Sequence, residues 1–180
     1  MTPTNQKAAA QRIGGLMTDR QKIRKEIILL ARQEPELALD RVNNLLIEFP
    51  NEVWTWSLRS DVYHTSGDLE NAMLDIDQAI GIRFDEPSTH STKARYCIQK
   101  SDFEGAIFSL SNAIEIGEKL RFFYFDSWCR FNRAFCYCKI GDFGAAEEDL
   151  RAVDDDMQTW IDRLRSKAEL LEACRDRRLD

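Results

Sequence analysis

The stretch IGDFGAAEEDL, Ile140–Leu150, decides the fold. It places Asp142, Glu147, Glu148 and Asp149 behind a Gly-Asp step, which admits three readings: a metal-binding acidic loop, a catalytic carboxylate cluster, or a turn that feeds a helix. Repetition selects the third. TSGDLENAMLDIDQAI (65–80), QKSDFEGAIFSLSNAI (99–114) and KIGDFGAAEEDLRAV (139–153) share one pattern. A small residue and Asp come first (Gly67-Asp68, Ser101-Asp102, Gly141-Asp142), then Leu69, Phe103 or Phe143. Ala72, Ala106 and Ala146 come next, then Ile76, Leu110 and Leu150, then Ala79, Ala113 and Val153. The small and aliphatic positions fall one helical turn apart and form a single buried stripe. Gly suits the left-handed exit from one helix, and Asp can cap the next.

The spacing is that of a helix–turn–helix array. Ala72 and Ala106 are 34 residues apart, and Ala106 and Ala146 are 40 apart. Thirty-four residues before Ala72 stands Ala38, followed by Val42, Leu45 and Pro50. The helix before it carries Lys22, Lys25 and Glu26 where apolar residues belong, and Ile23, Ile27 and Leu30 restore the face if its turn is one residue shorter.

These motifs resemble the tetratricopeptide repeat family. Trp56, Ser60, Tyr63, Gly67, Ala72, Ile76 and Ala79 match its pattern in one repeat. Ala134, Tyr137, Gly141, Ala146, Leu150 and Val153 match it in another, with Arg130 where the early aromatic belongs. A weaker middle repeat has His90, Ala94, Cys97, Ser101, Ala106, Leu110 and Ala113. The resemblance implies an all-α, right-handed α-solenoid of helix-turn-helix repeats with a C-terminal capping helix. The expected organisation is a flexible tail (1–18), a degenerate helix pair (19–52), a repeat (53–86), a repeat with a longer connection (87–126), a repeat (127–153) and one long capping helix (154–180). That last helix would present Trp160, Leu164, Ala168 and Leu171 and carry Asp154–Asp156 at its N-terminus, where the macrodipole favours anions.

Arg59 and Asp75 are 16 residues apart, as are Arg133 and Asp149. That spacing predicts an Arg–Asp bridge between the paired helices of two repeats. The middle repeat has Lys93 and Ser109 instead.

Composition agrees with a helical, folded chain: 43% hydrophobic, 31% charged, 8 Gly and 4 Pro in 180 residues. A formal charge of −6 argues against a general nucleic-acid binder, which needs a basic field. The charge is uneven: residues 1–34 hold seven Lys/Arg against three Asp/Glu, while 141–156 hold seven acids against Arg151. The five cysteines lack disulfide-framework spacing and read as buried thiols of a reducing cytoplasm. Cys136 and Cys138 are expected on roughly opposite helix faces. No membrane span is expected. No Gly-rich phosphate loop, zinc pattern or nucleophile elbow is present, so no cofactor or metal is expected.

The resemblance implies that the first helix of each repeat lines a concave groove for a peptide or partner protein. Its candidate residues are Trp54, Ser57, Asp61, His64 and Thr65, then Ser91, Arg95 and Gln99, then Trp128, Phe131, Asn132, Phe135 and Lys139. Phe131 and Phe135 have a competing reading as core. Where some members carry a Lys/Asn clamp for chaperone C-termini, this chain has Ser57, Asp61, Trp128 and Asn132, which speaks against that role. The aromatic run 119–131 suggests either core packing or a homodimer through Phe122 and Phe125. The expected function is thus a non-enzymatic protein-binding module. Alternatives are a client-specific chaperone, an immunity-type neutralising protein and, last, an enzyme built on Asp61 and His64.

Overall fold

The computed structural model describes residues 19–122 and 126–179, apart from the side chains of Trp160 and Leu164. The expected tail 1–18 and the candidate dimer residue Phe125 lie outside the described residues. The helices are α1 (19–31), α2 (Pro35–Glu48), α3 (Val53–Thr65), α4 (Leu69–Ile82), α5 (Pro87–Gln99), α6 (Phe103–Leu120), α7 (Asp126–Ile140) and α8 (Phe143–Arg151). A two-stranded antiparallel hairpin comes after them, β1 (Gln158–Trp160) and β2 (Leu164–Ser166), then α9 (Lys167–Asp176). The architecture is an all-α repeat array of helical hairpins. The chain forms two compact units, Met1–Gln78 and Ala79–Asp180.

The repeated Gly-Asp steps behave as the sequence predicts. Gly67 and Gly141 have φ of +83°, and Ser101 adopts the same left-handed region at +59°. At each turn the Asp backbone N–H donates five residues back: Asp68 to Tyr63 O, Asp102 to Cys97 O and Asp142 to Tyr137 O, all at 2.9 Å. This closes the preceding helix. Each Asp side chain then accepts from a backbone N–H three residues on: Asn71 at 3.1 Å, Gly105 at 3.0 Å and Ala145 at 3.1 Å. Each such cap removes an orphan donor and is worth about 1 kcal/mol.

In the first unit the core gathers Ile27, Ala31, Ala38, Val42, Leu58 and Val62, with Ile23, Leu30 and Trp54 packed against it. Ile23 and Ile27 therefore restore the inward face of α1, and Lys22, Lys25 and Glu26 are exposed. The α1–α2 turn has no left-handed residue. Pro35 opens α2 at its first turn, where a missing N–H costs nothing.

In the second unit the buried stripe of α6 (Ala106, Leu110, Ala113) meets α5 and α7, and that of α8 (Ala146, Leu150) meets α7. The extra residues before the last repeat lengthen α6 to 18 residues rather than only its connection. The helix stops at Arg121, φ +53°, with Phe122 N–H on Gly117 O at 2.8 Å. A side chain at Gly117 would meet Phe122 O at 2.9 Å, so this stop needs glycine there.

The expected single helix over 154–180 is corrected by the structure. Asp154–Asp156 lie in a turn, and Asp154 O accepts from Met157 N–H at 3.1 Å. Gln158, Thr159 and Trp160 pair with Ser166, Arg165 and Leu164. The β-favouring Thr159 and Trp160 suit this pairing, and the hairpin buries two cations that a surface helix would leave in water. Arg165, 2% exposed, donates to both Asp162 oxygens at 2.9 and 2.7 Å and to Glu169 at 2.7 Å. The Arg165 bond holds the Asp162 carboxyl down at about 2. Lys167 Nζ donates to Val153 O at 2.6 Å and to Asp155 at 2.7 Å. Ser166 caps α9, whose buried face is Leu170, Ala173 and Cys174; Ala168 is exposed and Leu171 half-buried.

Candidate partner-binding surfaces

The predicted Arg–Asp bridges set the frame on which the candidate residues sit. Arg59 Nε and Nη2 donate to the two Asp75 oxygens at 2.7 and 2.8 Å, and Nη1 donates to Asn43 Oδ1 at 2.9 Å. Arg133 repeats the arrangement: Asp149 at 2.7 and 2.6 Å, Ser111 Oγ at 2.9 Å. Each guanidinium joins three helices: its own, the paired second helix, and the second helix of the preceding pair. The carboxylate bonds raise both arginine pKa values. Trp56 packs under Arg59, whose guanidinium carbon lies 5.0 Å from the ring centroid. At the matching position of the last repeat, Arg130 reaches Asp126 and Glu118 at 2.8 Å and Asp149 at 3.7 Å. In the middle repeat, Ser109 donates to Gly105 O at 2.9 Å. His90, 2% exposed, packs edge-on against Phe84 with Nε2 on Phe84 O at 2.8 Å. Burial lowers its pKa.

The candidate residues of the first unit cluster on α3. Ser57, His64 and Thr65 are half-buried, and Thr65 Oγ1 donates to Asp61 O at 2.7 Å. Asp61, 8% exposed, receives Arg24 Nη2 from α1. This makes α1 part of the same surface, which the degenerate α1 sequence concealed. Trp54 is half-buried against the core, under the Arg20 guanidinium at 5.1 Å and beside Phe49 at 5.9 Å.

In the second unit Arg95 and Gln99 are exposed on α5, and Ser91 is half-buried with its hydroxyl on Ser88 O at 3.0 Å. Trp128 and Lys139 are half-buried on α7. The other three candidates of α7 are corrected to core. Phe131 and Phe135 are 0% and 1% exposed, and Asn132 turns its amide onto Trp128 O at 2.8 Å. Phe135 sits edge-on to Phe103 at 6.1 Å and under Arg165 at 5.8 Å. Their burial reflects the packing of α6, α8 and α9 together on α7. The same enclosure buries both Cys136 and Cys138, although the two stand on different faces of α7. Phe122 and its neighbour Leu120 are exposed, 49% and 55%. Among the described residues, no group of three or more His, Cys, Asp or Glu side chains is arranged to hold a metal ion, and no helix is long and apolar enough to cross a membrane.

The tetratricopeptide repeat model matches residues 55–86, the α3–α4 hairpin. Two solved structures share the fold. The crystal structure of MamA protein has a TM-score of 0.59 at 16% identity, covering 74% of this chain and 71% of that one. The structure of Naa15/Naa10 bound to HypK-THB has a TM-score of 0.50 at 19% identity, covering 81% of this chain and 21% of the matched one. No curated protein sequence matches.

Proposed function

We propose that the chain is a non-enzymatic protein-binding module that holds a peptide or a partner segment on the first helices of its repeats. In the first unit the contact residues are Ser57, Asp61, His64 and Thr65 on α3, with Trp54 as a part-exposed anchor. In the second they are Ser91, Arg95 and Gln99 on α5, with Trp128 and Lys139 on α7. One observation carries this reading. Arg95 and Gln99 stand exposed, one helical turn apart, on a helix whose opposite face (Ala94, Cys97) is buried. Such polar side chains, together with the half-buried Trp128, supply orientation and contact area. The repeat match and the fold likeness support the same class of function.

The test is affinity capture from native lysate with the wild-type chain, Arg95→Glu, Trp128→Ala and Ser57→Arg. A stoichiometric protein partner lost with at least one variant is the expected result. A partner kept undiminished by all three would place binding elsewhere. If the captured partner is the chain itself, and Phe122→Ser returns the dimeric mass to that of a monomer, exposed Leu120 and Phe122 mark a homodimer surface instead.

A further inference from the structure

All five cysteines are buried, and two of them touch. Cys138 on α7 and Cys174 on α9 have their Sγ atoms 3.7 Å apart, each residue 4% exposed. They belong to different elements, and α9 is a short helix of ten residues. We infer that Cys138 and Cys174 form a modification site, a dithiol that a low-molecular-weight disulfide converts to an intramolecular disulfide joining α9 to α7.

The step balances as ordinary thiol–disulfide exchange. The Cys174 thiol loses its proton and its sulfur attacks one sulfur of the small disulfide. A new S–S bond forms, the old one breaks, and the first small thiolate leaves and is protonated. Cys138 then loses its proton and attacks the Cys174 sulfur, forming the protein disulfide and releasing the second small thiol. Two protein thiols are oxidised and one small disulfide is reduced.

The surroundings dictate when this happens. Burial pushes the Cys138 thiol up to about 12 and raises that of Cys174, so the closed form holds both protonated and unreactive. Attack requires α9 to swing off, a local opening available to a helix of only ten residues. Reclosure returns the Cys138 sulfur to the mixed disulfide. Oxidation thus records opening of α9 and then fixes the C-terminal element over the helix that carries Phe135 and Lys139.

The full-length chain is incubated with oxidised glutathione in mildly alkaline buffer without denaturant. The expected product has lost two hydrogens, retains no glutathione, and maps to a Cys138–Cys174 peptide pair. Amide exchange over 167–176 should slow roughly tenfold or more, because closure removes the detached state. Cys138→Ala should instead accumulate glutathione on Cys174. No oxidation, stable glutathione adducts on the wild-type chain, or a disulfide between another pair such as Cys97 and Cys136 would each overturn the inference.

Discussion

Replacing Arg59 by Met should cost more than replacing Arg133 by Met, although both arginines make the same bidentate bridge. Asp75 and Asp149 are alike in burial, their side chains 6% and 4% exposed. Their surroundings differ. Among the described residues Asp75 has Arg59 as its one ionic partner, whereas Asp149 also has Arg130 Nη1 at 3.7 Å. Removing Arg59 strands a buried carboxylate, a loss of about 3 kcal/mol, at the low end for buried pairs because Arg59 is 22% exposed and water can enter. Loss of the Asn43 hydrogen bond adds about 0.5–1 kcal/mol. For Arg133 the same loss is offset by Arg130, which can close on Asp149, and about 1.5–2 kcal/mol is expected. Replacing both partners in Arg59→Met/Asp75→Leu should recover all but about 1 kcal/mol, since no charge is then left buried. Urea unfolding tracked by far-UV circular dichroism measures the totals. Hydrogen exchange of the α3–α4 and α7–α8 peptides locates them, which matters because repeat arrays need not unfold in one step. Equal losses for the two arginine variants, or a double variant as unstable as the sum of its singles, would refute the reasoning.

The turns and the thiols give further expected outcomes. Ser101→Gly should stabilise the second unit by about 0.5–1 kcal/mol, because Ser101 has φ +59°. Gly67→Ala should destabilise the first by about 1 kcal/mol, from backbone strain alone, since a methyl there meets nothing within 4 Å; chemical denaturation reads both. At high pH the buried thiols should weaken the fold. Cys129, Cys136 and Cys138 are pushed up to about 12 in the folded chain, against an ordinary value of 9.0. Between those values the unfolded chain loses these protons while the folded chain keeps them, so stability falls as pH rises, by up to about 1.4 kcal/mol per unit per thiol. Melting curves of the wild-type chain and of Cys136→Ala, compared from neutral pH upwards, should converge as the pH rises.

The features legible in the sequence were local or strictly repeated. Gly67, Ser101 and Gly141 exit their helices because chain direction must reverse there, and Asp68, Asp102 and Asp142 cap the helices that come next. The 16-residue spacing of Arg59 and Asp75 needed only two helices packed side by side. The C-terminal region reads as one helix in the sequence because Trp160, Leu164 and Ala168 recur every four residues, which imitates a helical stripe. Arg165 lies inside that run, and bonds to Asp162 and Glu169 beside the Phe135 ring help make its burial tolerable. Phe131 and Phe135 share the face pattern of Ser57 and Asp61. Whether that face meets water or protein depends on what α6, α8 and α9 lay over it, which no spacing within α7 encodes. Arg24 escaped notice because α1 lacks the family's pattern, although its side chain meets a candidate residue directly.

The two arginine forks differ in one respect. Arg59 and Asn43 are 16 residues apart, whereas Arg133 and Ser111 are 22 apart. Yet the donor atom is the same Nη1 and the bond length the same 2.9 Å. Coupling between successive hairpins is therefore set by the groups the helices present to each other, not by the length of chain between them. That makes the far end of α6, beyond Ser111, a natural place for a change of length. Peptide added or removed there should alter the surface the molecule displays while leaving the joint, and the cooperativity it transmits, as it was.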